Sequence, residues 1–411
     1  MRILIITFLY PDDSPVMRSN AVHDLARFWT DEHEVVCFKD DSNMFTLKES
    51  LFGQLKRAFT CHSSRRDNVD IHRFDFFFLG EFKPKFIRTI LNNVLGRIHE
   101  KMAACRMRKK LAQLQYSPDI VIVHIPTQVI VNYIGKLKLD CPKIAVMHIT
   151  DVRRFETDRQ KRKSLYEKKI RLTNSEFGAV YARSHAIYHK LREMGRFDNL
   201  QSDIISSGVP QCENYQEKIW TDWEYRKKNI LYAGSLIPRK GADVVLRSLD
   251  QLKADSECSC IIVGGGQERG SLEQLCEQLS LEDMVTMTGE VSREEVYRYM
   301  AETDIFVMPS ANETLGLVYL EAMANGCITI ASRNEGMDGI IVDGENGYLV
   351  NALDIQDLTR CLRHIFGMRG EELQQVSRNA KLTADQYTQE GRAQIYLDQV
   401  VTWTNCHRID T

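Results

Sequence analysis

Residues 304–326 read DIFVMPSANETLGLVYLEAMANG, and the organisation of the whole chain can be inferred outward from them. The short apolar run Asp304–Met308 stops at a proline and is typical of a buried parallel strand. A helix is expected to begin near Gly316, because the leucines and alanines that follow share one apolar face and Asn325-Gly326 supplies a C-terminal stop. A strand that leads through a loop into a helix is the repeating unit of a doubly wound α/β sheet.

The same pattern occurs along both halves of the chain. The strands predicted in the first half are Arg2–Phe8, Glu34–Phe38, Ile120–His124, Lys143–Ile149 and Asp203–Ser206. Those predicted in the second half are Asn229–Tyr232, Cys258–Val263, Met284–Met287, Ile305–Met308, Cys327–Ala331 and Gly347–Val350. The helices predicted between the latter are Asp243–Leu252, Glu268–Leu279 and Arg293–Glu302. The sequence therefore predicts an α/β protein with two Rossmann-like domains facing a central cleft, where ligands bind beyond the carboxyl ends of the strands.

The domain boundaries follow from breaks in this pattern. Residues 1–212 are assigned to a first domain and residues 213–387 to a second domain. The polar and aromatic stretch Glu213–Arg226 lacks strand character and is interpreted as the linker. An amphipathic pattern over Tyr387–Trp403 predicts a helix that returns to the first domain, so residues 388–411 are assigned there as well.

Composition excludes several classes of protein. The chain has 411 residues and a net charge of -2, so its total charge does not demand nucleic acid, and we expect no nucleic-acid partner. Its 11 cysteines are scattered through apolar runs, which favours reduced thiols in a cytosolic protein over a zinc site. The N-terminal segment lacks a signal-peptide cleavage pattern, and no segment has the roughly 20 apolar residues of a membrane span. A cytoplasmic protein is expected.

Two glutamates in the quoted stretch are candidate ligand-binding residues. Glu313 lies in the loop before the helix, beside backbone amides at Thr314, Leu315, Gly316 and Leu317 that favour a phosphate. Glu321 lies about 6 to 8 Å beyond the start of the helix, the span from a diphosphate to a ribose, whose two hydroxyls a carboxylate can accept. Two glutamates around a helix start also occur by chance, and the spacing alone leaves both interpretations open.

This segment resembles the Glu-x7-Glu motif of the retaining GT-B glycosyltransferases of family 4, which includes bacterial lipopolysaccharide, capsule and exopolysaccharide enzymes. The resemblance extends through Ala331-Ser332 to the loop Asp343-Gly344-Glu345-Asn346-Gly347. It implies the GT-B fold, with Glu313 at the donor sugar and Glu321 on the ribose.

Other predicted donor-site residues come from the loops after neighbouring strands. The resemblance implies that Lys240, just before Gly241, neutralises the donor diphosphate. Ser235 stands where many members carry an arginine, so part of the usual phosphate clamp is missing, and whether Arg239 replaces it stays open. The remaining candidates, which resemble stretches that border the nucleotide in the family, are Gly264, Gly265, Gly266 and Val291, with Arg293 as a neighbour. The spacing of these glycines is not the G-x-G-x-x-G of a dinucleotide site.

In the first half, His124 ends a predicted strand and resembles the family histidine that contacts the donor sugar. His148 ends the next strand and resembles a second family histidine. The loop after the first strand, residues 14–20, lacks the paired glycines of many relatives, so the acceptor geometry cannot be carried over. Arg18 and Ser19 in that loop could bind an anion.

A basic stretch from Leu51 to Lys110 is also rich in phenylalanine. Its phenylalanines include Phe74, Phe76, Phe77, Phe78, Phe82 and Phe86. Interleaved cations and aromatic rings suit peripheral contact with the anionic inner membrane leaflet, or a lipid-linked acceptor. They equally suit a charged helix pair around a buried aromatic cluster.

The sequence thus predicts a retaining hexosyltransferase. Its donor is a nucleoside diphosphate sugar, with a UDP-sugar favoured, and its acceptor is a hydroxyl of a glycan or lipid-linked glycan in cell-surface polysaccharide biosynthesis. No metal and no further cofactor are expected, since Lys240 and the loop amides would stabilise the leaving group. Two alternatives remain: a GT-B binding or scaffold protein that has lost activity, and an NAD(P)-dependent oxidoreductase, which the glycine spacing disfavours.

Overall fold

The computed structural model describes residues 1–7, 22–45, 61–79, 100–212, 215–254 and 256–407. The chain divides into two compact units. The first comprises residues 1–183, 188–205 and 393–411, and the second comprises residues 184–187 and 206–392. The boundaries expected from the sequence were 212/213 and 387/388.

Within its described residues, the first unit contains an eight-stranded sheet with the order β3-β4-β2-β1-β5-β6-β7-β8. Its strands are β1 (Arg2–Thr7), β2 (Glu34–Phe45), β3 (Cys61–Arg66), β4 (Val69–Leu79), β5 (Ile120–His124), β6 (Lys143–Met147), β7 (Ala179–Ala182) and β8 (Leu200–Ile204). The helices along this half are α1 (His23–Ala26), a 3-10 turn (Arg27–Trp29), α2 (100–113), α3 (Gln128–Leu137), α4 (Ile149–Lys161), α5 (Lys163–Glu176) and α6 (His185–Met194). Strands β1, β5 and β6 are almost wholly buried, because apolar residues on both faces meet other elements of the unit.

The second unit contains a six-stranded parallel sheet, in the part of the chain that is described, with the order β11-β10-β9-β12-β13-β14. Its strands are β9 (Lys228–Ala233), β10 (Cys258–Val263), β11 (Val285–Gly289), β12 (Ile305–Val307), β13 (Ile328–Ser332) and β14 (Tyr348–Val350). The helices that follow them are a 3-10 turn (Pro238–Lys240), α7 (Ala242–Asp250), α8 (Arg269–Gln278), α9 (Arg293–Glu302), α10 (Leu317–Ala324), α11 (Ile355–Phe366) and α12 (Gly370–Asp385). The prediction of two tandem doubly wound sheets is therefore confirmed.

The last helix, α13 (Gln389–His407), returns to the first unit as predicted. Tyr396 and Trp403 lie in the first core, and the Trp29 indole donates to the Ala393 carbonyl at 2.9 Å. The ring of Trp29 also meets that of Tyr396 edge to face, with centroids 5.0 Å apart. Burial of these large rings fixes the helix on the first sheet.

The interpretation of residues 61–79 as part of a charged helix pair is wrong. Strands β3 and β4 form an antiparallel hairpin, with Arg66 paired to Val69 across the two-residue turn Asp67-Asn68. Both turn residues have positive φ, 46° and 62°, which is the geometry of a type I′ turn and suits Asp and Asn. Among the described residues of the basic stretch, only residues 100–110, in α2, are helical.

The aromatic cluster predicted there is only partly described. Phe74 is buried and meets Phe38 edge to face at 5.0 Å between centroids. The side chains of Phe76, Phe77 and Phe78 fall outside the description, as do Phe82, Phe86, and the loop 14–20 with Arg18 and Ser19.

The segment interpreted as a linker is packed into the second unit. Trp220 and Trp223 are buried in its core, with ring centroids 5.2 Å apart. The Trp223 indole donates to the Ile365 carbonyl at 3.2 Å. Two buried indoles anchor this segment, which explains its aromatic composition better than a mobile connection does.

Candidate functional site

The strand order of the second sheet identifies the edge where a ligand would bind. Strand β9 is central, with β10 and β11 on one side and β12, β13 and β14 on the other. The direction of winding therefore reverses between β9 and β12, which pair in parallel. Ligands of open α/β sheets bind beyond the carboxyl ends of the strands at such a point, since the loops diverge there.

An ion pair links the two loops at this point. Lys240 follows β9, and its ammonium donates to the carboxylate of Glu313, which follows β12. Each of these side chains is only 14% exposed. The backbone of the same loops is joined where the Ala311 amide donates to the Arg239 carbonyl at 2.7 Å. Two residues that the sequence assigned to separate tasks therefore lie together.

A third loop supports Glu313, and the sequence did not predict its role. Glu335 follows β13, and its carboxylate accepts the backbone amide of Glu313 at 2.8 Å. Next to it, the backbone of Gly336 lies so close to Leu315 that an added Cβ would be 2.5 Å from the Leu315 Cα. A glutamate followed by glycine in the loop after a neighbouring strand was the available signal, but local pattern alone does not show which loop it touches.

Helix α10 begins where the sequence placed it, at Gly316. This residue has φ of 80°, and an added Cβ would lie 2.5 Å from the ring of Tyr319. The Tyr319 hydroxyl donates to the Met308 carbonyl at 2.6 Å and so ties the helix to the end of β12. The first amides of a helix lack intrahelical acceptors, so Gly316 and Leu317 present donors that suit an anion at the switch point. Thr314 is half-buried and Leu315 is buried, so Leu315 is a candidate only through its backbone.

Glu321 lies further along α10 and is held by α9. Arg293 donates from Nη2 to Glu321 Oε1 at 2.6 Å, and the Tyr297 hydroxyl donates to the same oxygen at 3.1 Å. The Glu321 side chain is 13% exposed, against 39% for Arg293. Tyr297 is a second residue that sequence reasoning missed, although it lies one helical turn after Arg293.

The remaining candidates lie on neighbouring loops of the same edge. Gly264 has φ of 139°, and an added Cβ would lie 2.0 Å from the Gly234 carbonyl oxygen, so close backbone packing alone requires glycine there. Gly265 and Gly266 continue this turn, and the Leu236 amide donates to the Gly265 carbonyl at 2.8 Å. The other candidates are Ser235, which is exposed, and Arg239 and Val291, which are half-buried.

His124 lies inside the first unit. It is fully buried, and its imidazole lies 3.3 Å from His148 through Nδ1 and 3.1 Å from the Tyr396 hydroxyl through Nε2. Burial, with a smaller effect of Arg183, lowers the pKa of His124 well below its ordinary value, and burial likewise lowers that of His148. Both rings are therefore neutral near pH 7. The contact with a donor sugar that the resemblance implies for His124 stays a prediction.

Among the described residues, no group of three or more His, Cys, Asp or Glu side chains is placed to hold a metal ion. No helix in the described ranges has the length and apolar character needed to cross a membrane.

Comparison with known sequences agrees with this architecture. Residues 219–383 match the family described as Glycosyl transferases group 1. The chain is 33% identical over 132 residues to the GDP-mannose-dependent alpha-(1-6)-phosphatidylinositol monomannoside mannosyltransferase of Mycolicibacterium smegmatis, covering 30% of this chain and 35% of that protein. It is 27% identical over 168 residues to the lipopolysaccharide core biosynthesis glycosyltransferase LpsE of Rhizobium meliloti, covering 41% and 48%. The chain thus spans about a third to a half of the length of these curated relatives.

Solved structures resemble the whole chain. Sucrose-phosphate synthase from Thermosynechococcus elongatus has a TM-score of 0.70 and 17% identity, covering 98% of both chains. The Anabaena protein HepE, in complex with UDP and glucose, has a TM-score of 0.63 and 17% identity, covering 98% of this chain and 100% of that one. At such identity the likeness shows the fold. The chain therefore has the GT-B fold, and its residues 219–383 are similar to group 1 glycosyltransferases, which confirms the resemblance predicted from the sequence.

Proposed function

We propose that the protein is a retaining glycosyltransferase that moves a sugar from a nucleoside diphosphate sugar to a hydroxyl of a glycan or lipid-linked glycan. The observation that carries this proposal is the Lys240–Glu313 ion pair at the switch point of the second sheet. The ammonium of Lys240, the carboxylate of Glu313 and the N-terminus of α10 thus lie around one position at the edge of this sheet. A diphosphate bonded to a sugar has matching groups, namely anionic oxygens, hydroxyls and an anomeric carbon.

The proposed roles follow from the chemistry of each group. Lys240 and the first amides of α10 stabilise the diphosphate as negative charge develops on it, a form of electrostatic catalysis that needs no metal. Glu313 meets the sugar, and Glu321 accepts the ribose hydroxyls. The other proposed donor-site groups are Ser235, Arg239, Gly264, Gly265, Gly266, Val291, Thr314, Leu315, Gly316 and Leu317. The role of His124 at the sugar stays part of the proposal, and it requires this buried ring to exchange its contacts with His148 and Tyr396.

In the proposed reaction the bond between the anomeric carbon and the diphosphate oxygen breaks. The bond from the acceptor oxygen to that carbon forms on the same face, and the acceptor proton passes to the departing diphosphate. No carboxylate nucleophile of the kind used by retaining hydrolases is required. The protein supplies position and charge to the departing group.

The favoured donor is a UDP-sugar. The HepE structures contain UDP or UDP-glucose, which supports this choice. One relative is named as GDP-mannose-dependent, so GDP-sugars are the main competitor. The acceptor class is supported by the names of two relatives, which act on phosphatidylinositol monomannoside and in lipopolysaccharide core biosynthesis.

We also propose a cytoplasmic location with peripheral contact at the membrane face, in cell-surface polysaccharide biosynthesis. Support comes from exposed cations on the first unit, at Arg65 and Arg66 of β3 and at Lys101, Arg108 and Lys109 of α2. Vesicles with anionic lipid would retain the protein at low salt and release it at high salt. Equal binding to neutral vesicles would remove this part of the proposal.

The decisive experiment screens UDP-, GDP- and ADP-sugars against the purified chain by saturation-transfer NMR, then measures donor hydrolysis and transfer. Glu313→Ala is expected to abolish turnover, and Glu282→Ala, an exposed glutamate in the same unit, serves as the matched control. Turnover that EDTA abolishes and manganese restores would refute the metal-free mechanism. Nucleotide binding without turnover across donors and acceptors would instead indicate a binding protein, and NAD(P)H binding an oxidoreductase.

A further inference from the structure

The side chains of Arg293, Tyr297 and Glu321 form a closed set of hydrogen bonds. Arg293 and Tyr297 lie four residues apart on α9, so both face the same neighbour. Arg293 Nε donates to the Tyr297 hydroxyl oxygen at 2.7 Å, and both residues donate to Glu321 Oε1, at 2.6 and 3.1 Å. The guanidinium also lies 5.5 Å from the centre of the Tyr297 ring.

Both donors converge on one oxygen of the carboxylate. A carboxylate oxygen has two lone pairs, so Oε1 is saturated by these two contacts. No hydrogen bond to Oε2 is found among the residues that the structure describes. The Glu321 side chain is only 13% exposed, so little of this carboxylate meets water.

The charge states of the three groups make the arrangement persistent. Burial, and next the charge of Glu321, raise the pKa of the Tyr297 phenol, so it keeps its proton and donates. Burial lowers the pKa of Arg293, but Glu321 and Tyr297 more than offset this and the net shift is upward. Charge-assisted hydrogen bonds of this kind are the stronger ones.

We propose that Tyr297 and Arg293 are positioning residues for ribose recognition, which fix Glu321 so that Oε2 alone accepts the ribose hydroxyls. The inference rests on the proposed function, since it takes Glu321 as the ribose ligand. The free oxygen has two lone pairs, enough for both hydroxyls of one ribose.

The Tyr297 hydroxyl makes the carboxylate of Glu321 specific for ribose. Without its hydroxyl, Oε1 regains a lone pair and the carboxylate can rotate about its last torsion, which has a broad energy profile. Water then competes with the ribose at both oxygens. A carboxylate that is held in place makes the loss of a ligand hydroxyl costly. A mobile carboxylate therefore discriminates less between ribose and deoxyribose.

The test compares ribose and deoxyribose nucleotides by calorimetry, with UDP, GDP and their 2′-deoxy forms as probes. Tyr297→Phe keeps the ring and removes the hydroxyl. Tyr299→Phe is the matched control, because residues two apart on a helix face different sides. Tyr297→Phe is expected to weaken binding of the preferred ribonucleotide about 5- to 10-fold and that of its 2′-deoxy form less than about 2-fold. Tyr299→Phe is expected to change neither.

Arg293→Lys provides a second variant, which keeps the charge but loses the Nε contact to Tyr297, and it should lower the same ribose-to-deoxyribose ratio. The informative case is one in which the wild type binds UDP or GDP and Glu321→Gln no longer discriminates ribose from deoxyribose. If the ribose-to-deoxyribose ratio is then unchanged in both Tyr297→Phe and Arg293→Lys, the inference is overturned and the proposed function stands. If no nucleoside diphosphate binds the wild type, or if Glu321→Gln binds it normally, the inference and the proposed function both fail.

Discussion

Breaking the ion pair at the switch point should destabilise the second unit much more than breaking a surface pair. We consider Lys240→Met, which keeps the length of the side chain and removes its charge. The carboxylate of Glu313 then stays in a site where it is 14% exposed, without the ammonium that now meets it. An uncompensated carboxylate with little access to water is the source of the cost.

The magnitude follows from burial. Exposed pairs contribute at most about 1 kcal/mol, whereas removal of one partner of a buried pair costs about 3 to 5 kcal/mol. With both side chains mostly covered, Lys240→Met should lower the free energy of unfolding by about 2 to 3 kcal/mol. At about 2 to 4 °C per kcal/mol for a unit of this size, the Tm of the ligand-free protein should fall by about 4 to 12 °C.

The double variant Lys240→Met/Glu313→Gln removes both charges. It should recover most of the loss, which gives a coupling energy of about 2 kcal/mol in a double-mutant cycle. The assay is urea unfolding of the ligand-free protein, followed by circular dichroism. The control cycle uses Arg378→Met and Glu217→Gln, an ion pair of the same unit whose side chains are 56% and 47% exposed.

The control pair should show a clearly smaller coupling, because water screens both of its exposed charges. If the coupling of Lys240 to Glu313 were no larger than this, the burial argument would be refuted. The same result would remove the physical basis for treating these two side chains as one unit of the site.

Three further outcomes are expected. Glu313→Gln frees Lys240 from its partner, so calorimetry should show that UDP affinity is kept or increased. The rate of sugar transfer should nevertheless fall at least about 100-fold, and a parallel loss of UDP affinity and transfer rate would contradict this expectation. Gly316→Ala places a Cβ on a residue with φ of 80° and only 2.5 Å from the Tyr319 ring. Urea unfolding should show that this strain lowers the free energy of unfolding by about 1 to 3 kcal/mol, and an unchanged unfolding midpoint would refute it. Burial, and secondarily Arg183, lowers the pKa of His124 well below 6.5, so the unfolded chain binds the extra proton as pH falls through 6.5. The free energy of unfolding of the wild type should therefore fall as the pH drops below 6.5. Its slope should exceed that of His124→Asn by up to about 1.4 kcal/mol per pH unit, and equal slopes in the two proteins would exclude the effect.

Much of the fold could be predicted because parallel strands have a local signature. The bounds of Ile120–His124, Cys258–Val263 and Arg293–Glu302 are those expected from apolar runs and helical periodicity. The hairpin Cys61–Leu79 was missed, because β3 is exposed along its whole length and carries no buried face that alternation could reveal. Strand β7 (Ala179–Ala182) was missed as well.

For the site, the sequence by itself determined the spacing of Glu313 and Glu321, the start of α10 at Gly316 and the two-sheet organisation, because each depends on residues close together in the chain. Only the tertiary structure decided that Lys240 meets Glu313 across 73 residues, that Tyr297 holds Glu321, and that Tyr396 encloses His124. The physical reason is the strand order. Which loops become neighbours depends on how a sheet winds, and a one-dimensional pattern of apolar residues does not record that order.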